Sequence, residues 1–138
     1  MLKATVIFNN RTPEFEGDAA KFVTKAVGKS AKLMERNVKI ETPVKHGYLR
    51  RSISSNMTGQ FSGEVFTNPI SEITKITSKG SKKKKTVSRK EVSYAVYVEY
   101  GTRYMAPRAM FRKGVGKSEK GIKQIFADEA KAEISKFK

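Results

Sequence analysis

The chain has 138 residues, enough for one hydrophobic core and too short for two. Its 38% hydrophobic and 30% charged residues describe a modest core under a large polar surface, and the absence of cysteine excludes disulfides, thiolate zinc sites and thiol catalysis. With 29 Lys+Arg against 13 Asp+Glu the formal charge is +16, whereas solubility asks only about 2–8 of a small domain. A polyanionic or acidic partner is therefore expected.

No run approaches the ~20 apolar residues that a bilayer span requires, so no membrane partner is expected. Residues 1–8 become polar too quickly for a signal peptide, which points to a protein made in a cytoplasm.

Taken in chain order, Leu2, Ala4, Val6 and Phe8 alternate with Lys3, Thr5 and Ile7 and predict a strand. Asn9 to Pro13 turn the chain. From about residue 17 to 38, Ala19, Phe22, Val23, Ala26, Val27, Leu33, Met34 and Val38 recur at helical spacing, with lysines around the other face. Asp18 or Thr12 is the expected N-cap. Pro43 ends this helix, because proline disfavours helical backbone in the residue before it.

A turn through Gly47 leads to a strand over residues 53–58, a reversal at Gly59 to Gly63, and a returning strand over residues 64–67. Residues 70–90 differ in kind. Lys79, Lys82, Lys83, Lys84, Lys85, Arg89 and Lys90 crowd a stretch of little periodicity, expected to be a mobile insertion or a long hairpin arm. Residues 92–100 read as the strongest strand, with Val92, Tyr94, Val96, Val98 and Tyr100 on one face and Ala95 and Tyr97 on the other. Such a strand needs a cover on both sides, and the second cover is expected to be another copy of the chain. A final amphipathic helix is expected from about Lys117, carrying Ile122, Ile125, Phe126, Ala130, Ile134 and Phe137.

The expectation is one α+β domain over residues 1–138. It has a mostly antiparallel sheet of about four strands, packed by a long N-terminal helix and a C-terminal helix, with residues 70–90 inserted.

Candidate chemistry is sparse. Gly114-Val115-Gly116-Lys117-Ser118 resembles the end of a P-loop, but Phe111 stands where that motif needs its first glycine and no buried strand precedes it. A helix start with Ser118 as N-cap accounts for the same letters. His46 is the single histidine, so paired-imidazole chemistry has no second member. Glu99 is an acid among apolar neighbours and calls for an arginine partner, with Arg50, Arg51, Arg103 and Arg108 as candidates. No catalytic constellation, cofactor site or metal site is read from these residues, and no enzyme is expected.

Three segments stand in a fixed order. Thr42-Pro43-Val44-Lys45-His46-Gly47-Tyr48-Leu49-Arg50-Arg51-Ser52-Ile53 comes first, Tyr94-Ala95-Val96-Tyr97-Val98-Glu99-Tyr100-Gly101-Thr102 second, and Ala106-Pro107-Arg108-Ala109-Met110-Phe111 third. Together, from about Ala19 onward, they resemble the neck and tail-completion family of tailed bacteriophages. The Glu-x-Gly-Thr element is the most specific part. His46 and the length of the 70–90 insertion depart from the family pattern.

The resemblance implies a non-enzymatic virion protein of the neck or tail top, made in the host cytoplasm. It would form a homo-oligomeric ring that joins head to tail, contacts other neck and tail proteins, and lets phage DNA pass with sequence-independent contact. Within that reading, Tyr94, Tyr97 and Tyr100 are the expected subunit interface. Glu99 with Arg50, Arg51 or Arg108 is the expected structural ion pair, and the 79–90 basic residues are the expected contact to DNA or an acidic neighbour. The rival reading is a small basic protein that binds nucleic acid non-specifically.

Overall fold

A computed structural model describes residues 2–7, 18–44, 47–68, 70–72, 90–92 and 94–135. Strand β1 (Lys3–Ile7) keeps the expected alternation: Lys3, Thr5 and Ile7 are exposed, while Ala4 and Val6 are half-buried. It pairs antiparallel with β3 (Ser62–Thr67), which pairs on its other side with β2 (Ile53–Gly59), giving the order β1-β3-β2. Central β3 buries Gly63, Val65 and Thr67 on one face, with Ala4 and Ser55 flanking Val65 in register. The opposite face carries Glu64, which meets Lys3 at 3.5 Å. One face dry and one face wet is the usual economy of an antiparallel sheet.

Helix α1 (Asp18–Glu41) lies across the dry face, with Val23, Ala26, Val27, Ala31, Met34 and Val38 all buried. Two close approaches position it. A Cβ on Gly63 would meet the Ala31 side chain at 3.1 Å, so the sheet lies close against the helix. On another flank, a Cβ on Gly114 would stand 2.7 Å from the Val38 backbone, and one on Gly121 would stand 2.6 Å from Leu33. That seam belongs to α4 (Met110–Ile134), which packs along α1 and makes a third layer. Met34, Val38, Ile53, Val65, Ala95, Val98, Met110 and Phe111 form the core where all these elements meet.

Several expectations are corrected. Residues 94–100 are not a strand but helix α3 (Tyr94–Tyr100). Their tyrosines and valines favour extended backbone, yet the same letters carry a helical period. Ala95, Val98 and Glu99 are buried, whereas Tyr94, Tyr97 and Tyr100 lie on the outer side. The main sheet consequently has three strands, not about four.

The last helix starts at Met110, two turns before the expected Lys117. Ser118 is therefore no N-cap. It is fully buried inside α4, where its hydroxyl donates to the Gly114 carbonyl (2.7 Å) and accepts from Asn37 Nδ2 of α1 (2.8 Å). The Gly114-to-Ser118 letters serve helix packing.

The short helix α2 (Tyr48–Ser52) replaces a plain turn after Gly47, whose φ of 76° needs glycine's freedom. Strands β4 (Ile70–Glu72) and β5 (Lys90–Val92) form a separate antiparallel pair that brackets the basic insertion. The insertion's residues 73–89 lie outside the described residues.

Candidate assembly surface

Helix α3 and the start of α4 are tied together by a reciprocal cap. Met110 begins α4 after Ala109, which adopts left-handed backbone (φ 50°) and offers no side-chain oxygen to the first amides. Glu99 supplies it from twelve residues upstream. Its Oε2 accepts from the Phe111 amide (2.8 Å) and its Oε1 from the Arg112 amide (3.2 Å). These are the second and third amides of the helix, the ones an N-cap normally satisfies. The carboxylate also faces the positive end of a 25-residue helix dipole.

In return, the strand-like stretch before α4 satisfies the last carbonyls of α3. The Arg108 amide donates to the Val98 carbonyl (3.0 Å) and the Ala109 amide to the Glu99 carbonyl (3.2 Å).

This corrects the expected ion pair. Glu99 is buried, 5% exposed, and among the described residues no arginine bridges it. Arg50 and Arg51 lie exposed on α2, and Arg103 and Arg108 lie exposed in the α3–α4 connection. Backbone amides stand where a guanidinium was expected. No local spacing signals this, because the cap crosses twelve residues that include a complete reversal.

The reversal is built on Gly101. At φ 79° its amide closes α3 on the Tyr97 carbonyl (2.9 Å), and a Cβ there would stand 2.7 Å from the Met105 carbonyl oxygen. Thr102 and Met105 then pair through both backbone bonds (2.8 and 3.2 Å), leaving Arg103 and Tyr104 at the tip. The Arg103 guanidinium lies 5.9 Å from the centre of the Tyr104 ring, which is 91% exposed.

The result is an aromatic surface on a rigid mount. Tyr94, Tyr97 and Tyr100, 51%, 54% and 62% exposed, follow one another at helical spacing on the outer side of α3, with Tyr104 beyond them. The three residues singled out from sequence are thus brought to one face, although by a helix and not a strand.

A second surface was not singled out from sequence. Lys32, Arg36, Lys39 and Ile40 of α1 and Arg50 of α2 line an open groove of about 490 Å³ with Glu35. Lys39 holds the Glu35 carboxylate at 2.5 Å and Ser55 Oγ donates to it at 2.5 Å. Burial pushes the Glu35 carboxyl up, but the hydrogen bonds from Lys39 and Ser55 and the Lys39 charge outweigh burial and hold it below its ordinary value. Among the described residues, Lys32, Arg36 and Arg50 have no ion-pair or hydrogen-bonding partner for their side chains. The recurrence of cations at residues 32, 36 and 39 was the available signal.

Of the other expected contacts, Lys90 opens β5, whereas Lys79, Lys82, Lys83, Lys84, Lys85, Arg89 and His46 lie outside the described residues. No group of acids and histidines among the described residues could hold a metal ion, and no helix among them is long and apolar enough to cross a membrane.

Buried polar atoms here serve caps and helix contacts, and the large exposed side chains sit on fixed elements. These features define a structural α+β domain that presents a surface. A family model described as "Bacteriophage HK97-gp10, putative tail-component" matches residues 8–101, more than half of the chain. The chain belongs to this HK97-gp10-like family and is a structural protein of the tailed-phage virion, working among other virion proteins. The matched stretch includes Glu99 and ends at Gly101, so α4, which Glu99 caps, lies past it. Neither curated proteins nor solved structures yielded a match.

Proposed function

We propose that this protein is a subunit of a homo-oligomeric ring at the neck or tail top, joining head to tail while leaving a passage for the genome. The observation that carries this reading is the tyrosine face of α3. Three half-exposed tyrosines on a seven-residue helix, anchored through Glu99 to the 25-residue α4, make a preorganised apolar surface with polar tips. Aromatic residues of this kind are enriched where protein surfaces meet, because the ring gains from burial while the hydroxyl still finds a partner. A ring subunit uses two different faces, so the tyrosine face would meet another surface of the next copy.

The +16 charge supports contact with the passing DNA or with acidic neighbours. We assign that contact to the basic residues between Lys79 and Lys90. The same charge favours the second reading, a small basic protein, monomeric or dimeric, that binds nucleic acid non-specifically.

Imaging the purified protein by electron microscopy, together with mass photometry across concentration, separates the two. A closed ring of fixed copy number, and density for the protein at the head–tail junction of particles, is the expected result. A species that stays monomeric or dimeric at all concentrations and is missing from that junction would overturn the ring.

A further inference from the structure

The groove between α1 and α2 is unusual in what it leaves unmatched. Four cations and one acid line it, and that acid is already held by Lys39 and Ser55. Lys32, Arg36 and Arg50 therefore face open space as uncompensated charges. The lining is also partly apolar: Ile40 is 57% exposed, and Val44, four residues further along the chain, and Tyr48, two residues before Arg50, are each 61% exposed. Phosphate would satisfy the cations but leave those apolar side chains in water. A peptide with carboxylates flanking an apolar residue would satisfy both.

The chain contains one such segment. Residues 13–18 read Pro-Glu-Phe-Glu-Gly-Asp, placing Glu14, Glu16 and Asp18 around Phe15 with no base among them. Nowhere else do three of the 13 acids fall within five residues. We propose that this segment of one copy docks in the groove of a second copy, its carboxylates meeting Lys32, Arg36 and Arg50 and Phe15 covering Ile40.

The helix geometry excludes the intramolecular version. The segment runs directly into α1, whose first residue is Asp18. From residue 18 to Arg36, which lines the groove, α1 rises roughly 27 Å at about 1.5 Å per residue. The backbone from Glu14 to Asp18 spans about 14 Å even fully extended. Phe15 falls further short of Ile40, roughly 33 Å up the helix. With side chains extended Glu14 could touch Lys32 of its own chain, but Phe15 cannot reach Ile40, so the full set of contacts forms only between copies. Because the two surfaces differ, the contact is head-to-tail, the kind that closes rings or extends filaments. The proposal rests on the ring reading only for closure; the docking itself stands on the groove.

Charge reversal on each side tests it. Variant one carries Lys32→Glu and Arg36→Glu, both at exposed positions; variant two carries Glu14→Lys and Glu16→Lys. Each alone should self-associate at least about tenfold more weakly than the unaltered chain in sedimentation velocity, with unchanged helical circular dichroism. Mixed one to one, they should associate again, because the acidic groove of variant one meets the basic segment of variant two, while the unaltered surfaces of each meet one another. A labelled peptide of residues 12–19 should bind the full chain, lose at least about tenfold in affinity for variant one, and weaken with salt.

Unchanged association of variant one, or a mixture no stronger than its parts, overturns the docking. If the peptide fails to bind and variant one instead loses affinity for a DNA duplex, the groove is a phosphate site and the docking is equally overturned. Rings formed alike by variant and unaltered chain would sink this contact while leaving the ring reading intact. Peptide binding without any closed ring would do the reverse.

Discussion

Glu99 and Phe111 are joined by a hydrogen bond of 2.8 Å from the Phe111 amide to the Glu99 carboxylate, which makes the last turn of one helix the cap of the next. The tyrosine face of α3 can move only if this bond and its neighbour at Arg112 break. Glu99→Ala should therefore destabilise the fold by about 2–3 kcal/mol, combining a lost cap with two amides left poorly satisfied. Glu99→Gln keeps one acceptor oxygen and should cost about 1 kcal/mol. Urea unfolding followed by circular dichroism measures both. Equal stability of Glu99→Ala and the unaltered chain would mean that the cap does not hold in solution.

Gly114 and Gly116 lie two residues apart in α4 and should respond in opposite directions. A Cβ at Gly114 meets the Val38 backbone at 2.7 Å, so Gly114→Ala must part α1 from α4, at about 1–3 kcal/mol. Nothing lies within 4 Å of a Cβ at Gly116, and Gly116→Ala should stabilise by roughly 0.8–1 kcal/mol through helix propensity. Thermal melts of the two variants check the contrast in sign.

Gly47 and Gly101 both have positive φ but differ in surroundings. Gly47→Ala meets open space and should cost about 1–2 kcal/mol, the strain of left-handed backbone alone. Gly101→Ala adds a clash with the Met105 carbonyl and with Pro107, so its loss should exceed that of Gly47→Ala by more than about 1 kcal/mol. Comparable melting temperatures for the two would count against the tight Gly101 turn.

Glu35 should leave a signature in acid. Its folded carboxyl titrates below the ordinary value of 4.5, so the stability it contributes is present above that value and is lost as pH falls through the lowered one. Glu35→Gln should flatten the acid limb of the stability–pH curve below about pH 4.5 and leave its neutral slope unchanged. An identical acid limb in both proteins would show that Lys39 and Ser55 do not hold the charge.

The basic insertion is tested by salt. If Lys82, Lys83, Lys84 and Lys85 each neutralise a phosphate, replacing all four with serine should flatten the slope of log affinity against log salt by up to roughly 3–4 units on any duplex sequence. An unchanged slope removes DNA from the list of partners of this stretch.

Sequence by itself determined the elements whose pattern is long or strictly local. The alternation in β1 and the apolar stripe of α1 each repeat a single period often enough to exclude the other, and Gly59 and Gly63 mark the reversal between β2 and β3. The three-segment resemblance, with Glu99-Tyr100-Gly101-Thr102 at its centre, likewise reached the correct phage family from letters alone.

Residues 94–100 were undecidable at that level. Six residues of tyrosine, valine and alanine, with Glu99 among them, satisfy a two-residue and a helical period equally, and only packing against the core chose the helix, by burying Ala95, Val98 and Glu99 together. The partner of Glu99 was hidden for a related reason. A buried carboxylate announces that something must satisfy it, but whether a guanidinium or a helix terminus does so depends on where Gly101 and Ala109 send the chain. Those two left-handed residues bring the start of α4 back onto the end of α3, and that return exists only in the folded structure.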